Sequence, residues 1–78
     1  MAQAFSYEVK KNCGVVAKRR NDTIELRLVS YGGKEPKYDI RTWYIDNDDE
    51  EKLGKGVTLT REELATLRDL IDKELKDE

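Results

Sequence analysis

The sequence contains no histidine, one cysteine and one proline among its 78 residues. Without histidine, the usual hydrolytic triads cannot be built. Cys13 has no second thiol to pair with, which excludes an intrachain disulfide and the usual zinc ligand sets. We therefore expect no enzyme activity, no cofactor and no metal.

Long apolar runs are also missing. No stretch reaches the 18 or so apolar residues that a membrane-spanning helix needs. Residues 1–5 are too short, and too polar downstream, for a secretory signal. We expect a cytoplasmic protein, associated with the nucleoid if the source is bacterial.

Apolar residues are few. Together with glycine, the aliphatic, aromatic and sulfur-containing residues other than tyrosine number 30 of 78, below the roughly 45–50% usual for globular chains. Residues 1–78 are therefore predicted to form one small domain with a thin core. An apolar face left uncovered by so small a core favours a homodimer.

Charge is divided along the chain, although the net charge is only -2. Residues 1–45 carry nine basic and five acidic residues, whereas residues 46–78 carry six basic and twelve acidic ones. All six aromatic residues lie in the basic part. Basic charge interleaved with aromatic rings is typical of a surface that stacks bases and follows phosphates.

Two strands are predicted in the first third of the chain. Apolar and polar residues alternate from Phe5 to about Arg20, with an interruption at residues 12–14 that indicates a bulge. A turn at residues 20–22 precedes the clearest strand, whose one-sided apolar residues are Ile24, Leu26 and Leu28.

A third strand is predicted from Lys37 to Ile45, after a glycine- and proline-containing hairpin loop at residues 31–36. Both of its faces carry apolar bulk: Tyr38, Ile40, Thr42 and Tyr44 on one, and Asp39, Arg41, Trp43 and Ile45 on the other. So short a chain has little material for a second layer on both sides. One face is therefore expected to serve as a binding platform.

The acidic run at residues 46–51 reads as a solvated loop. It lacks the glycine that a calcium loop needs at its sixth position, where Glu51 stands. A short fourth strand is expected at residues 57–59, with Val57 and Leu59 facing inward.

A helix is predicted to begin at Thr60, because Thr60 and Glu63 have the spacing of a capping box. Its apolar stripe is expected to pack on the sheet and to form the dimer interface. The stripe consists of Leu64, Leu67, Leu70, Ile71 and Leu75.

Four strands and one helix define the predicted fold class: an α+β domain with a curved four-stranded antiparallel sheet and a carboxyl-terminal helix (ββββα). The segment 38–46, the acidic loop, residues 54–60 and the helix start around residues 63–67 together resemble the transcriptional coactivator positive cofactor four family, in its small YdbC-like bacterial branch. The resemblance implies a homodimer packed through its helices. It also implies single-stranded DNA binding with little sequence preference, and a role in transcription regulation or in replication and repair.

Particular residues match positions that bind nucleic acid in that family. Tyr31 stands where a loop aromatic stacks on a base, Tyr44 or its neighbour Trp43 where a second one does, and Arg41 and Lys55 where basic residues lie. Adding nearby basic residues, the predicted nucleic-acid-binding set is Lys18, Arg19, Arg20, Arg27, Tyr31, Lys34, Lys37, Arg41, Trp43, Tyr44 and Lys55.

Structural alternatives stay open for several of these residues. Trp43 could pack in the core, Arg41 could pair across strands with Glu25, and residues 18–20 could be an ordinary solvated edge. A rival function is a protein-interaction module that uses the same dimer and binds a polypeptide through the sheet or its edge. Transcription or repair proteins are expected as further partners. RNA is a second possible ligand, because stacking and phosphate contacts serve both nucleic acids.

Overall fold

The structure is a computed structural model that describes residues 6–76. Four strands form one antiparallel sheet in the order β1-β2-β3-β4, and a single helix follows. The predicted ββββα fold class is confirmed. The elements are β1 Tyr7–Lys18, β2 Asp22–Tyr31, β3 Lys37–Ile45, β4 Glu51–Leu59 and α1 Arg61–Lys76.

Strand β1 is long and repeatedly bulged. Its register against β2 shifts between Val9 and Lys11, between Asn12 and Gly14, and again further along. Gly14 has a φ of 155°, a conformation that side-chain-bearing residues rarely adopt, so the break predicted at residues 12–14 is confirmed. Phe5, the expected start of the strand, lies outside the described residues.

Strand β4 is longer than the sequence indicated. It begins at Glu51 because β3 stays paired to its last residue, where Ile45 lies opposite Glu51. The acidic loop therefore ends one residue earlier than expected. Val57 was expected to face inward but is 55% exposed, whereas Leu59 is half-buried.

Two glycines let β4 lie close to β3. A Cβ at Gly56 would overlap the Cβ of Arg41 and the carbonyl oxygen of Ile40. A Cβ at Gly54 would lie only 3.0 Å from the carbonyl oxygen of Thr42. The Gly54-Lys55-Gly56 segment thus accommodates the register shift between β3 and β4 without a steric clash.

The two faces of the sheet differ in burial. The aromatic face carries alternate residues of β2 and β3. Among the described residues, five of the six buried ones lie on it, Glu25, Arg27, Val29, Asp39 and Trp43, whereas the sixth, Ser30, lies on the other face. The opposite helix face carries Leu26, Tyr38 and Ile40, which are only half-buried. The small core therefore lies on the side away from the helix.

Helix α1 begins with the predicted capping box. The Thr60 amide donates to Glu63 Oε1 at 2.8 Å, and the Glu63 amide donates to Thr60 Oγ1 at 3.1 Å. No residue of the helix is fully buried. Leu64 and Leu67 of the stripe are half-buried against the helix face, whereas the members further along remain exposed: Leu70 at 57%, Ile71 at 49% and Leu75 at 61%.

Within residues 6–76, no helix has the length and apolar character needed to cross a membrane.

Candidate nucleic-acid interface

Three aromatic rings meet on the aromatic face. The Tyr7 ring lies 6.0 Å from the Tyr31 ring and 5.8 Å from the Trp43 ring, centroid to centroid, in tilted arrangements. These separations are typical of aromatic pairs that stabilise one another. Strand pairing explains part of the cluster, since Tyr7 lies directly opposite Tyr31.

Arg27 covers Trp43. Its guanidinium carbon lies 3.8 Å from the centre of the indole ring, and the residue is 6% exposed. Arg27 also donates to Glu25 Oε1 from Nε at 2.9 Å and from Nη2 at 2.7 Å, and it reaches both carboxylate oxygens of Glu51 at 3.1 and 3.2 Å. A buried cation is thus held between two carboxylates and a ring.

The Glu25 carboxylate accepts hydrogen bonds from three side chains on two strands, β1 and β2. It accepts from Arg27, from the Asn12 side-chain amide at 3.2 Å and from the Thr23 hydroxyl. Burial works against ionisation of this carboxyl, but the hydrogen bonds from Thr23 and Arg27 outweigh it and lower the pKa of Glu25. Burial likewise opposes the charge on Arg27, and its contacts with Glu51 and Glu25 outweigh it and raise the pKa of the guanidinium.

Asp39 organises the other half of the aromatic face. It is fully buried, accepts from the Tyr31 hydroxyl at 2.6 Å, and receives Arg41 Nε and Nη2 at 2.9 Å each. Arg41 Nη1 donates to the Gly54 carbonyl oxygen at 2.9 Å, and the guanidinium carbon lies 5.7 Å from the centre of the Tyr31 ring. Burial and the Asp39 hydrogen bond raise the pKa of Tyr31 to about 12. Hydrogen bonding to Asp39 also raises the pKa of Arg41.

Several predicted residues lie elsewhere than the family resemblance implied. Trp43 is 2% exposed, which is the core position that the sequence left open. Arg41 lies opposite Glu25 in the strand register but pairs with Asp39, so the suggested pair with Glu25 does not form. Tyr31 is the last residue of β2, whereas the sequence placed it in the following loop.

The β1–β2 turn brings basic and aromatic residues together. Lys18, Arg19 and Arg20 are exposed, and they line a cavity of about 270 Å³ with Trp43 and Tyr44. Tyr44 is 41% exposed, and as the neighbour of Trp43 in a strand it projects to the other side of the sheet. The acidic residues Asp22, Glu25 and Glu51 line the same cavity.

A second basic group lies at the other end of β2. Lys34 and Lys37 are exposed, and they line a cavity with the half-buried Tyr31. Gly32 and Gly33 have positive φ, at 60° and 77°, so the backbone turns tightly after Tyr31. Lys55 is exposed on β4 and lines neither cavity.

Sequence reasoning missed two members of the site. Tyr7 was counted among the six aromatic residues of the basic part but was not assigned to the site, and Asp39 was assigned only to one face of β3. Hydrogen-bond geometry made Asp39 the shared acceptor of Tyr31 and Arg41. The signal for Asp39 was present in the sequence, because an acid two residues before an arginine on one strand places both side chains on the same face.

Comparisons with known proteins agree with this architecture. A curated protein from Treponema pallidum (strain Nichols), described as an uncharacterized protein, is 46% identical over 69 residues, which cover 87% of this chain and 78% of that protein. The profile of the family described as Transcriptional Coactivator p15 (PC4) matches residues 18–70, more than half of the chain and nearly all of the region from the β1–β2 turn to the helix. The chain belongs to the transcriptional coactivator p15 (PC4) family, a nucleic-acid-binding and non-enzymatic family.

Proposed function

We propose that the protein binds single-stranded DNA as a homodimer with little sequence preference, and acts in transcription regulation or in replication and repair. The observation that carries the proposal is the cavity at the β1–β2 turn, which is lined by three exposed cations, Lys18, Arg19 and Arg20, and by Tyr44, a residue that is 41% exposed. Cations neutralise phosphates and an exposed ring stacks on any base, so this combination favours a single strand without a fixed sequence.

The second basic group extends the proposed path of the strand. Lys34 and Lys37 lie beside Tyr31 at the far end of β2. Ten residues of β2 separate the two groups, a span of about 30 Å at roughly 3.3 Å per residue. A single strand whose bases keep the stacked spacing of one strand of a duplex, roughly 3.4 Å per nucleotide, would cover this distance with about nine nucleotides. We therefore expect longer oligonucleotides to bind more tightly than those of four or five.

The homodimer is supported by the helix. Leu70, Ile71 and Leu75 are exposed in the single protomer, and the apolar groove between helix and sheet continues onto Leu26 and Ile40. We propose that a second copy covers this groove. Sedimentation velocity should give a dimer for the wild type and a monomer for Leu75→Asp; a wild type that sediments as a monomer at high concentration would exclude the dimer.

The function is tested by fluorescence polarisation of a labelled oligo-dT of about 20 nucleotides, compared with a duplex and an RNA strand of equal length, at several salt concentrations. We expect the single strand to bind more tightly than the duplex. Replacing Lys18, Arg19 and Arg20 together by glutamine should make the log-log salt dependence shallower by about 2, since each phosphate contact on a single strand contributes about 0.7.

A matched control is the double variant Lys73→Gln and Lys76→Gln in the last turn of the helix, which removes exposed charge that lines neither cavity and should leave the slope unchanged. Tyr44→Ala should weaken binding by about 5- to 150-fold, the equivalent of roughly 1–3 kcal/mol of stacking. RNA binding that exceeds DNA binding would reassign the ligand. No binding of any strand at low salt would refute the proposal and leave the protein-interaction module.

A further inference from the structure

We infer that Arg27 and Arg41 are positioning residues, which hold the Trp43 and Tyr31 rings in place and leave phosphate contacts to the exposed lysines and arginines. This inference rests on the proposed function only where it concerns DNA. It departs from the resemblance, which implies that Arg41 contacts the ligand.

The guanidinium groups of Arg27 and Arg41 already donate hydrogen bonds to acceptors within the protein. In Arg41, Nε and Nη2 donate to Asp39 and Nη1 donates to the Gly54 carbonyl oxygen. In Arg27, Nε and Nη2 donate to Glu25 while Nη1 and Nη2 reach Glu51. Every guanidinium nitrogen of both residues already donates to at least one acceptor, so only the remaining N–H groups of the Nη atoms could reach a phosphate without breaking an existing hydrogen bond.

Acidic side chains outnumber basic ones at the centre of the aromatic face. Arg27 and Arg41 contribute two positive charges to the aromatic face, whereas Glu25, Asp39 and Glu51 contribute three negative ones. The centre of this face is therefore slightly acidic and does not attract phosphate by itself. The side chains of Arg27 and Arg41 are 7% and 17% exposed, which further limits their access to a ligand.

Both arginines also lie against aromatic rings. Each arginine lies over one aromatic ring, Arg27 at 3.8 Å from the centre of Trp43 and Arg41 at 5.7 Å from that of Tyr31. The planar guanidinium can stack on a ring and form a two-pronged pair with a carboxylate at once, which a lysine cannot do. Asp39 completes the arrangement, because it binds both the Tyr31 hydroxyl and Arg41.

The DNA arm of the test compares Arg41→Gln, Arg41→Lys and Lys34→Gln for oligo-dT binding as a function of salt. We expect Arg41→Gln to weaken binding about fivefold or more, as the loss of ordered stacking implies, with a salt slope parallel to that of the wild type. Arg41→Lys should fail to restore affinity. Lys34→Gln should make the slope shallower by about 0.7. An Arg41→Gln slope reduced by the same amount, and restored in Arg41→Lys, would overturn the inference.

Asp39→Asn tests the same assignment without changing either arginine, and circular dichroism should show that this variant and the arginine variants are folded. It keeps the shape of the side chain but removes the charge that holds Arg41. We expect the released guanidinium to reach a phosphate and steepen the salt slope by about 0.7. A slope that stays at the wild-type value would contradict the inference.

The second arm needs no DNA, so that a failure of the proposed function can be told apart from a failure of this inference. Trp43 is the single tryptophan of the chain, so its fluorescence reports how accessible the indole ring is to a quencher. Acrylamide quenching should increase in both Arg27→Gln and Arg27→Lys but not in Lys73→Gln. Unchanged quenching in the Arg27 variants would show that the guanidinium does not hold the ring.

Discussion

The two faces of the sheet reverse the usual relation between polarity and burial. The aromatic face carries Glu25, Arg27 and Asp39, all less than 9% exposed, whereas the apolar Leu26 and Ile40 of the helix face are only half-buried. Charged groups can be buried on one face because each is paired and hydrogen-bonded. The apolar face stays partly open because one helix is too narrow to cover it. The protomer thus closes its polar side by itself and leaves its apolar side partly open.

The largest effect should come from the aromatic face. Trp43→Ala removes the biggest buried side chain and uncovers Arg27, which should lower the free energy of unfolding by about 3–5 kcal/mol. Urea unfolding followed by circular dichroism measures the change. Tyr44→Ala is the matched control, because the neighbouring ring is 41% exposed and its loss should cost little stability. An equal loss of unfolding free energy in the two variants would contradict the assignment of Trp43 to the core and of Tyr44 to the surface.

The effect on stability of a substitution at the helix face should instead depend on protein concentration. Ile71→Ala trims a side chain that is 49% exposed in one protomer, and at high concentration it should lower the free energy of unfolding by about 2–4 kcal/mol if a second copy covers it. Thermal unfolding at several concentrations separates the two faces: the Trp43→Ala shift should be independent of concentration, whereas the Ile71→Ala shift should grow with it. An Ile71→Ala shift that stays constant would mean that no copy covers this face.

The Tyr31 hydroxyl links stability to alkaline pH. Its pKa is raised to about 12, so the folded protein keeps a proton that the unfolded chain releases near pH 10. The stabilisation is fully present below about pH 10 and is lost as the pH rises toward about 12. Tyr31→Phe should cost about 1.5–3 kcal/mol at neutral pH, since it removes a hydrogen bond to a carboxylate. The difference between wild type and variant in urea unfolding should then shrink above pH 10; a constant difference would contradict the assignment.

The smallest effect should come from the capping box. Thr60→Ala removes the side-chain acceptor of the Glu63 amide and should lower the free energy of unfolding by about 1 kcal/mol. Because the helix covers only the helix face, Trp43 fluorescence of the folded variant should match that of the wild type. A change in that fluorescence would show that the two faces are coupled through the helix.

Much of the fold follows from local sequence patterns. The bulge near Gly14, the alternation along β3 and the capping box at Thr60 each depend on a few neighbouring residues, and each is present in the structure. The start of β4 was missed because Glu51 and Lys52 carry no apolar alternation; their strand conformation comes from pairing with Ile45 and Tyr44.

The site was harder to predict because it depends on register. Lys18, Arg19, Arg20 and Tyr44 gather at one cavity, and this grouping follows from adjacent strand ends. Each arginine pairs with an acid of its own strand and not with the acid opposite: Arg27 pairs with Glu25, and Arg41 pairs with Asp39. This choice depends on the side-chain rotamers that are adopted after the strands have paired. No spacing rule in the sequence distinguishes this arrangement from the pair between Arg41 and Glu25.

The bulges of β1 have a consequence for behaviour at high concentration. The outer edge of this strand is the longest in the sheet, and a straight edge of its length would offer unpaired backbone groups on which another chain could add a strand. Three register shifts in twelve residues interrupt the regular spacing of those groups. We therefore expect the irregular edge to disfavour open-ended addition of strands from other chains.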